Sequence, residues 1–166
     1  TKIFVTLFSQ KNTFFIMNWL SSFFKTMRNN SQFLVLLENK DVSVEIFYKH
    51  IITPIFGKDF SITITDELLS NSSLEDIVKY KLFYHIEHIP QDENNRKKLR
   101  DIINTILVKK VVSIDGQVVP VIGQILFTLD KPEMFLKEFL SSCKIFYVES
   151  INNLQSKLVD WEDCLE

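Results

Sequence analysis

The sequence predicts an α/β fold in which a mostly parallel sheet is flanked by helices and carries one inserted β-hairpin. Short apolar runs of the kind that form buried strands alternate with longer segments whose apolar residues recur every three or four positions. Strands that alternate with helices usually join in parallel, so we expect helices on both faces of the sheet. The pair Asp115-Gly116 between two apolar runs adds a hairpin signal.

Helical periodicity predicts three long helices. The first covers residues 12–27, where large apolar residues lie at helical spacing: Ile16, Trp19, Leu20, Phe23, Phe24 and Met27. The second covers residues 42–56 and has one apolar face: Val44, Phe47, Ile51, Ile52 and Ile55. The third covers residues 92–107, opens with two acidic residues and buries a stripe of Leu99, Ile102, Ile103 and Ile106.

The other elements follow from apolar runs bounded by turn residues. They are strand 33–38, strand 60–64, short helices over 65–79, strand 81–87, hairpin 111–121, strand 124–129, helix 132–140, strand 144–149 and helix 152–165. Six residues from the three layers should be buried together: Trp19, Phe47, Ile51, Phe83, Ile103 and Phe127.

Composition indicates one compact domain. The chain has 166 residues, of which 46% are hydrophobic and 24% charged, and we expect a helical lead-in over residues 1–30 followed by one α/β domain over residues 31–166. No apolar run is long enough to span a membrane and no signal-peptide pattern is present, so no membrane partner is expected. Cys143 and Cys164 are too few for a disulfide framework and fit a reducing compartment.

Residues 34–57 have the outline of a phosphate-binding strand, loop and helix without its chemistry. Such a loop needs glycines whose N–H groups surround the phosphates, a lysine that reaches their outer oxygens, and a Ser/Thr hydroxyl for magnesium. Here Glu38, Asp41 and Ser43 stand in place of the glycines, Val44 in place of the lysine, and Glu45 in the next helical position.

This outline resembles the superfamily 3 helicase core of the AAA+ class, found in phage, plasmid and large-virus replication proteins. Residues 34–37 (LVLL) match the family's strand and residues 54–57 (PIFG) match the end of its helix, with the spacing preserved. In the family the strand corresponding to residues 81–87 ends in Asp-Glu, which holds magnesium and activates water. Glu87 and His88 occupy those positions here, so the resemblance implies a degenerate site.

The resemblance implies further departures downstream. Thr128-Leu129 stand where the family's sensor strand carries Ser-Asn, and Ser141-Ser142 stand where it often has an arginine pair. The family's hairpin touches DNA through basic residues at its tip, whereas the tip over residues 113–117 carries Asp115 and no lysine.

Electrostatics also argue against nucleotide binding. A carboxylate about 5 Å from a phosphate, at an effective dielectric near 20, is repelled by roughly 3 kcal/mol. Several acidic residues flank the loop and Lys40 offsets only part of their charge, so we expect no cofactor. The alternative is a divergent site for ATP and Mg²⁺ that uses Glu87 and Lys40. We expect no metal site either, because a His-x-x-His pair such as His85 and His88 on a strand points to opposite faces.

The net charge is −2 at pH 7, so the chain as a whole does not attract DNA. Any DNA binding would depend on local clusters of basic residues. Lys109 and Lys110 lie at the base of the predicted hairpin, and Arg96 and Lys97 lie on the helix before it. We expect weak DNA contact through these four residues, with Lys109 and Lys110 contributing most.

The function that these observations favour is a non-hydrolysing, helicase-like module of a DNA replication protein, acting in oligomerisation or DNA positioning. The resemblance implies three partners: DNA, other copies of the chain in a ring, and a neighbouring primase or polymerase domain. It also implies a location in the cytoplasm of a bacterial or phage-infected host cell. Two alternatives stay open: an active but divergent ATP-dependent DNA helicase, and an unrelated α/β protein-interaction module.

Overall fold

A five-stranded parallel sheet forms the centre of the molecule. The computed structural model describes residues 10–37 and 48–149. The sheet strands are β1 (Gln32–Leu37), β2 (Ser61–Ile64), β3 (Phe83–Ile86), β6 (Gln124–Leu129) and β7 (Lys144–Glu149), and β4 (Val111–Ile114) and β5 (Gln117–Pro120) form a separate antiparallel hairpin. The order in the sheet is β2-β3-β6-β1-β7, with every neighbouring pair parallel. The predicted α/β class with an inserted hairpin is therefore confirmed.

Helices connect the strands. They are α1 (Gln10–Thr26), α2 (Thr53–Phe56), α3 (Asp66–Asn71), α4 (Leu74–Val78) and α5 (Glu93–Asn104). A π-helical turn over Tyr48–Ile52 leads into α2, and another over Thr105–Lys109 continues α5. Two 3₁₀ helices, Lys58–Phe60 and Met134–Phe139, complete the described elements. None of the described helices is long and apolar enough to cross a membrane.

Side-chain caps explain where three of these helices begin. The Thr65 hydroxyl accepts a hydrogen bond from the Leu68 amide, Ser73 caps α4 through the Asp76 amide, and Asp92 caps α5 through the Asn95 amide. Each cap satisfies one backbone donor that has no partner within the helix, which is worth about 1 kcal/mol. At the carboxyl end of α3, a side chain from another helix satisfies the backbone carbonyls. The Lys98 ammonium of α5 donates hydrogen bonds to the Leu69 and Ser72 carbonyls.

The sheet buries both of its faces, so the fold has three layers. One face, here called the α5 face, packs against α3, α4, α5, the hairpin and the second 3₁₀ helix. The other, the α1 face, packs against α1, the first π-helical turn and α2. Alternate strand residues point to opposite faces, so each strand supplies both cores. Phe33 and Phe127 lie on the α5 face, whereas Leu34 and Leu126 lie on the α1 face.

Two expectations need correction, and two lie beyond the described residues. Five residues are buried as predicted: Trp19, Ile51, Phe83, Ile103 and Phe127. The prediction that they form one shared cluster was wrong. Trp19, Ile51 and Phe83 belong to the α1 face, and Ile103 and Phe127 belong to the α5 face, because the sheet separates them. Residues 134–139 form a 3₁₀ helix rather than an α-helix, with i→i+3 bonds such as Leu136 N–H to the Glu133 carbonyl. Phe47 and the predicted helix 152–165 lie outside the described residues.

Candidate functional site at the carboxyl edge of the sheet

The strand order predicts a crevice at the carboxyl edge of the sheet, between β1 and β6. β1 and β6 are neighbours in the sheet. After β1 the chain continues to β2 at one edge of the sheet, and after β6 it continues to β7 at the opposite edge. Loops that diverge from adjacent parallel strands leave a gap, which is where α/β sheets usually bind ligands. The degenerate loop that follows β1, with Glu38, Asp41, Ser43, Val44 and Glu45, falls in residues 38–47, outside the described part of the chain.

A buried polar cluster lies beside this crevice. The His85 side chain is fully buried, and its two ring nitrogens lie 3.2 Å from the Thr63 hydroxyl and 2.9 Å from the Thr128 hydroxyl. The Tyr48 ring stacks on the imidazole, with 4.1 Å between ring centroids. We call Tyr48, Thr63, His85 and Thr128 the His85 cluster. It joins β2, β3 and β6 to the first π-helical turn through polar contacts on the α1 face.

The Tyr48 phenol is held in its protonated form. Burial raises its pKa above the usual 10.0, hydrogen bonds to Thr63 and Thr53 partly oppose the rise, and the nearby Glu87 carboxylate adds to it. A protonated phenol can donate a hydrogen bond within the cluster. The Tyr48 side chain is therefore neutral, and its ring covers His85.

Glu87 and His88 follow directly after β3, at the carboxyl edge where the resemblance places the degenerate acidic pair. The Glu87 carboxylate is half-exposed and lies 3.9 Å from His85 Nδ1. His88 Nε2 lies 3.1 Å from the Asp66 carboxylate, and both side chains are about half exposed. His85 points into the α1 face while His88 points out towards α3, so the two imidazoles share no site. Across residues 10–37 and 48–149, no group of three or more His, Cys, Asp and Glu side chains could hold a metal ion.

The predicted basic residues lie at the two ends of α5. Arg96 donates from Nε to the Pro90 carbonyl and lies 3.7 Å from Glu93, while Lys97 is exposed. Lys109 and Lys110 are exposed at the end of the following π-helical turn. Twelve residues from Lys97 to Lys109 correspond to about 18 Å along a helix. The four residues therefore form two pairs, one in the first turns of α5 and one at the end of the π-helical turn that follows it.

Sequence reasoning missed the partners of His85. Thr63 and Thr128 lie on strands far apart in sequence, and each reads as an ordinary strand residue. The available signal was His85 itself, an imidazole within the short buried strand Phe83–Ile86, because a buried polar ring needs hydrogen-bond partners. Helical periodicity over residues 42–56 also did not single out Tyr48, whose ring packs on His85.

Known structures share this fold. No protein-family profile and no curated protein matches the chain. It is similar to the apo structure of the NrS-1 C-terminal region, with a TM-score of 0.69 and 15% identity over 95% of this chain and 39% of that chain. Two A-form apo structures of the same region give TM-scores of 0.66 and 0.65 at 15% and 14% identity, covering 94% and 96% of this chain and 37% and 38% of those chains. The likeness shows a common fold, and the chain spans about two fifths of those structures.

Proposed function

We propose that this chain is a helicase-like module of a DNA replication protein that does not hydrolyse ATP and acts in oligomerisation or DNA positioning. Two observations support the replication context: the sequence resemblance to superfamily 3 helicase cores and the fold shared with the NrS-1 C-terminal region. The location in a bacterial or phage-infected cell belongs to the same proposal.

The His85 cluster is the observation that best supports the proposed absence of ATP hydrolysis. In the superfamily 3 helicases, which the sequence resembles, the carboxyl ends of the corresponding strands present a magnesium ligand, a catalytic base and a phosphate sensor to the nucleotide. Here the Thr128 hydroxyl on β6 bonds to a buried imidazole, 2.9 Å away, instead of facing the crevice. His88, at the position of the base, bonds to Asp66. An imidazole that is hydrogen-bonded to a carboxylate is a poor substitute for a carboxylate that activates water.

ATP turnover tests the proposal directly. The purified chain should show no hydrolysis above background in the presence of Mg²⁺, and Glu87→Gln should leave that background unchanged. Val44→Lys should not create activity, because the loop sequence still lacks its glycines and the base position still holds His88. Turnover that Glu87→Gln removes would contradict the proposal and favour the divergent ATPase that uses ATP and Mg²⁺.

The assembly role needs the full-length protein. The mass of the full-length protein in solution, measured by light scattering with and without residues 1–166, should fall from an oligomer to a smaller species when the segment is deleted. A heterologous interface that closes into a ring needs packing surfaces and no catalytic residues. An unchanged mass would remove the oligomerisation half of the proposal and leave DNA positioning to be tested separately.

A further inference from the structure

The amino edge of the sheet is a continuous surface. All five strands are parallel, so their first residues lie along the same edge. Backbone hydrogen bonds join the starts of β2 and β3, of β3 and β6, and of β7 and β1. The Asn29 side chain donates to the Gly123 carbonyl and so joins the starts of β1 and β6. The segments that lead into all five strands belong to the described part of the chain.

Each strand start has one basic side chain beside it. Arg28 precedes β1, Lys58 precedes β2 and Lys81 precedes β3. Lys144 begins β7, and Lys110 lies beside the start of β6 because its carbonyl accepts a hydrogen bond from the Val121 amide. We call these five residues the basic edge: Arg28, Lys58, Lys81, Lys110 and Lys144.

The charge of the basic edge is largely uncompensated. Four of its members are exposed, and the Lys81 ammonium donates to the Asp59 backbone carbonyl, which leaves its charge in place. Asp59 is the one acidic residue among the four residues that precede each strand. Lys79 also lies here but pairs with Asp76, so it is not counted. The amino edge therefore presents positive charge beside every strand.

The carboxyl edge of the sheet carries the opposite charge. Six exposed carboxylates follow the ends of β2, β3 and β6: Asp66, Glu67, Glu87, Asp92, Glu93 and Asp130. The net charge of −2 therefore conceals a separation of charge between the two edges. A polyanion is attracted to the basic edge and repelled from the opposite edge, so the field of the molecule sets the orientation in which it binds.

Two exposed aromatic rings lie among these cations. The Phe60 side chain is 49% exposed and the Tyr80 side chain is 62% exposed. Tyr80 also has a φ of 56°, a conformation that glycine and asparagine adopt at less cost than a bulky residue. An exposed ring gains little from burial to offset that cost. Folding alone therefore does not account for a tyrosine at this position.

We propose that the basic edge binds single-stranded nucleic acid without sequence preference. Neighbouring strands lie about 4.8 Å apart, so the five cations follow an edge about 19 Å long, which is enough for several phosphates. Surfaces that bind single strands combine such a basic track with aromatic rings on which unpaired bases stack. Tyr80 and Phe60 supply the rings. Bases within a duplex do not reach them, because those bases stack on one another.

This inference rests on the DNA-positioning half of the proposed function, and it adds the surface and the form of the nucleic acid. Sequence patterns singled out only Lys110 among the five cations. The other four lie far apart in the chain and come together through the parallel strands. Arg96 and Lys97 are not part of this surface, because α5 begins at the carboxyl edge of β3.

Salt dependence of DNA binding tests the cations. The probe is a fluorescein-labelled oligothymidylate of about 16 nucleotides, and its binding to the full chain is followed by anisotropy. Arg28→Ala with Lys144→Ala should weaken binding at least about fivefold at low salt. The slope of log affinity against log salt should fall by about 1.4, because each phosphate neutralised in a single strand contributes about 0.7.

The matched control for the charge test is Lys131→Ala with Lys137→Ala, which removes two exposed lysines away from the amino edge. It should change neither the affinity nor the slope, with circular dichroism showing that both double variants are folded. Equal affinities and slopes in the two double variants would overturn the inference while leaving DNA positioning through another surface in place. No binding of the probe by the wild-type chain would also overturn it.

Substitutions at Tyr80 test base stacking separately from folding. Tyr80→Asn suits the backbone conformation, so it should keep or raise the free energy of unfolding in urea while weakening probe binding at least about fivefold. Tyr80→Phe keeps the ring and should bind the probe within about twofold of the wild type. Phe14→Ala removes a 71% exposed ring elsewhere and should leave binding unchanged. Unchanged binding by Tyr80→Asn would overturn the inference.

The same assays distinguish two other ligands of a basic surface. A DNA duplex of the same length should bind at least about fivefold more weakly than the single strand, since its bases are not free to stack on the rings. Equal affinity for both would overturn the inference. A second copy of the chain could also contact the basic edge through its acidic carboxyl edge. The mass of the chain by light scattering without DNA should be the same in the wild type and in Arg28→Ala with Lys144→Ala, and a lower mass in the variant would overturn the inference.

Discussion

The two faces of the sheet bury different kinds of side chain. The α5 face is covered by five elements, and the hydroxyls of Tyr84 and Thr105 on this side bond to nearby backbone carbonyls of Val78 and Asp101. The α1 face is apolar at its centre but carries the His85 cluster at its carboxyl end. At its amino end it buries Ser61 and Gln124, whose side-chain polar atoms have no hydrogen-bond partner in the described part of the chain.

This difference assigns different physical roles to the two faces. An apolar cluster gains free energy from burial alone and tolerates substitutions of similar volume. A buried polar cluster stabilises the fold only when every member is paired, and it specifies one arrangement of the elements that supply those members. The α5 face should therefore contribute mainly stability, and the His85 cluster should set the positions of β2, β3, β6 and the first π-helical turn.

The largest effect is expected at the centre of the α1 face. Phe83 is fully buried, with ring centroids 5.8 Å from Trp19, 6.4 Å from Tyr48 and 5.0 Å from Phe56. Phe83→Ala should lower the free energy of unfolding by about 3–5 kcal/mol, because it removes a ring that packs against three others. Urea denaturation measures the change.

The matched control for that substitution is Phe14, on the same side of the molecule. Its side chain is 71% exposed, so Phe14→Ala should change the free energy of unfolding by no more than about 0.5 kcal/mol. On the opposite face, Ile103→Ala should cost about 2–5 kcal/mol. Similar values for Phe83→Ala and Phe14→Ala would show that the α1 face is not a packed core.

The second effect separates polar burial from apolar burial. Thr128→Val keeps the shape of the side chain but leaves one ring nitrogen of His85 without its partner, so it should cost about 1–3 kcal/mol. Thr128→Ser keeps the hydroxyl and should cost less. Urea denaturation of both variants measures the difference. If Thr128→Val cost no more than Thr128→Ser, the hydrogen bond to His85 would not be the main contribution of this side chain.

The third effect concerns the surface cations beyond the α5 face. Lys109→Ala with Lys110→Ala should lower DNA affinity several-fold at low salt and reduce the slope of affinity against salt by about 2, because each lysine neutralises one phosphate. Arg96→Ala with Lys97→Ala is the matched double variant at the other end of α5 and should have the smaller effect, since Arg96 already bonds to the Pro90 carbonyl. Unchanged affinity in the first variant would exclude DNA binding at the hairpin base.

The smallest effect is expected at an ion pair on the outside of the α5 face. Arg100 donates from Nε and Nη2 to the two Glu138 carboxylate oxygens, at 2.6 Å and 3.2 Å. The guanidinium lowers the Glu138 pKa below its usual 4.5. Both groups are largely solvated, so Glu138→Gln should cost only about 0.5 kcal/mol at pH 7.

The pH dependence of that substitution has a definite sign. The Glu138 carboxyl is more acidic in the folded chain than in the unfolded chain, so its stabilising effect is fully present above pH 4.5 and is lost as the pH falls through the lower, folded-state pKa. The difference between the wild type and Glu138→Gln in urea denaturation should therefore shrink when the pH is lowered well below 4.5. A difference that grows at acid pH would contradict the ion pair.

Element type followed from sequence wherever the local signal was strong. The Asp115-Gly116 turn was predictable because both residues adopt positive φ, at 49° and 77°, which this pair accommodates. The bounds of β6 and β7 agree with those predicted, because each strand contains an apolar run with polar or charged residues on both sides. The residues 134–139 were harder, since a 3₁₀ helix and an α-helix bury similarly spaced residues.

The sequence by itself determined the alternation of strands and helices, the hairpin, and most of the buried residues, although Phe24, Met27 and Ile55 on the predicted apolar faces are exposed. These properties depend on local periodicity and turn chemistry, which act over a few residues. Only the tertiary structure decided which buried residues share a face, that Thr63 and Thr128 pair with His85, and that β2 is the last strand on its side of the described sheet. Those properties depend on strand order, which brings together residues 22 and 43 positions apart in the chain and is not encoded in any short stretch of it.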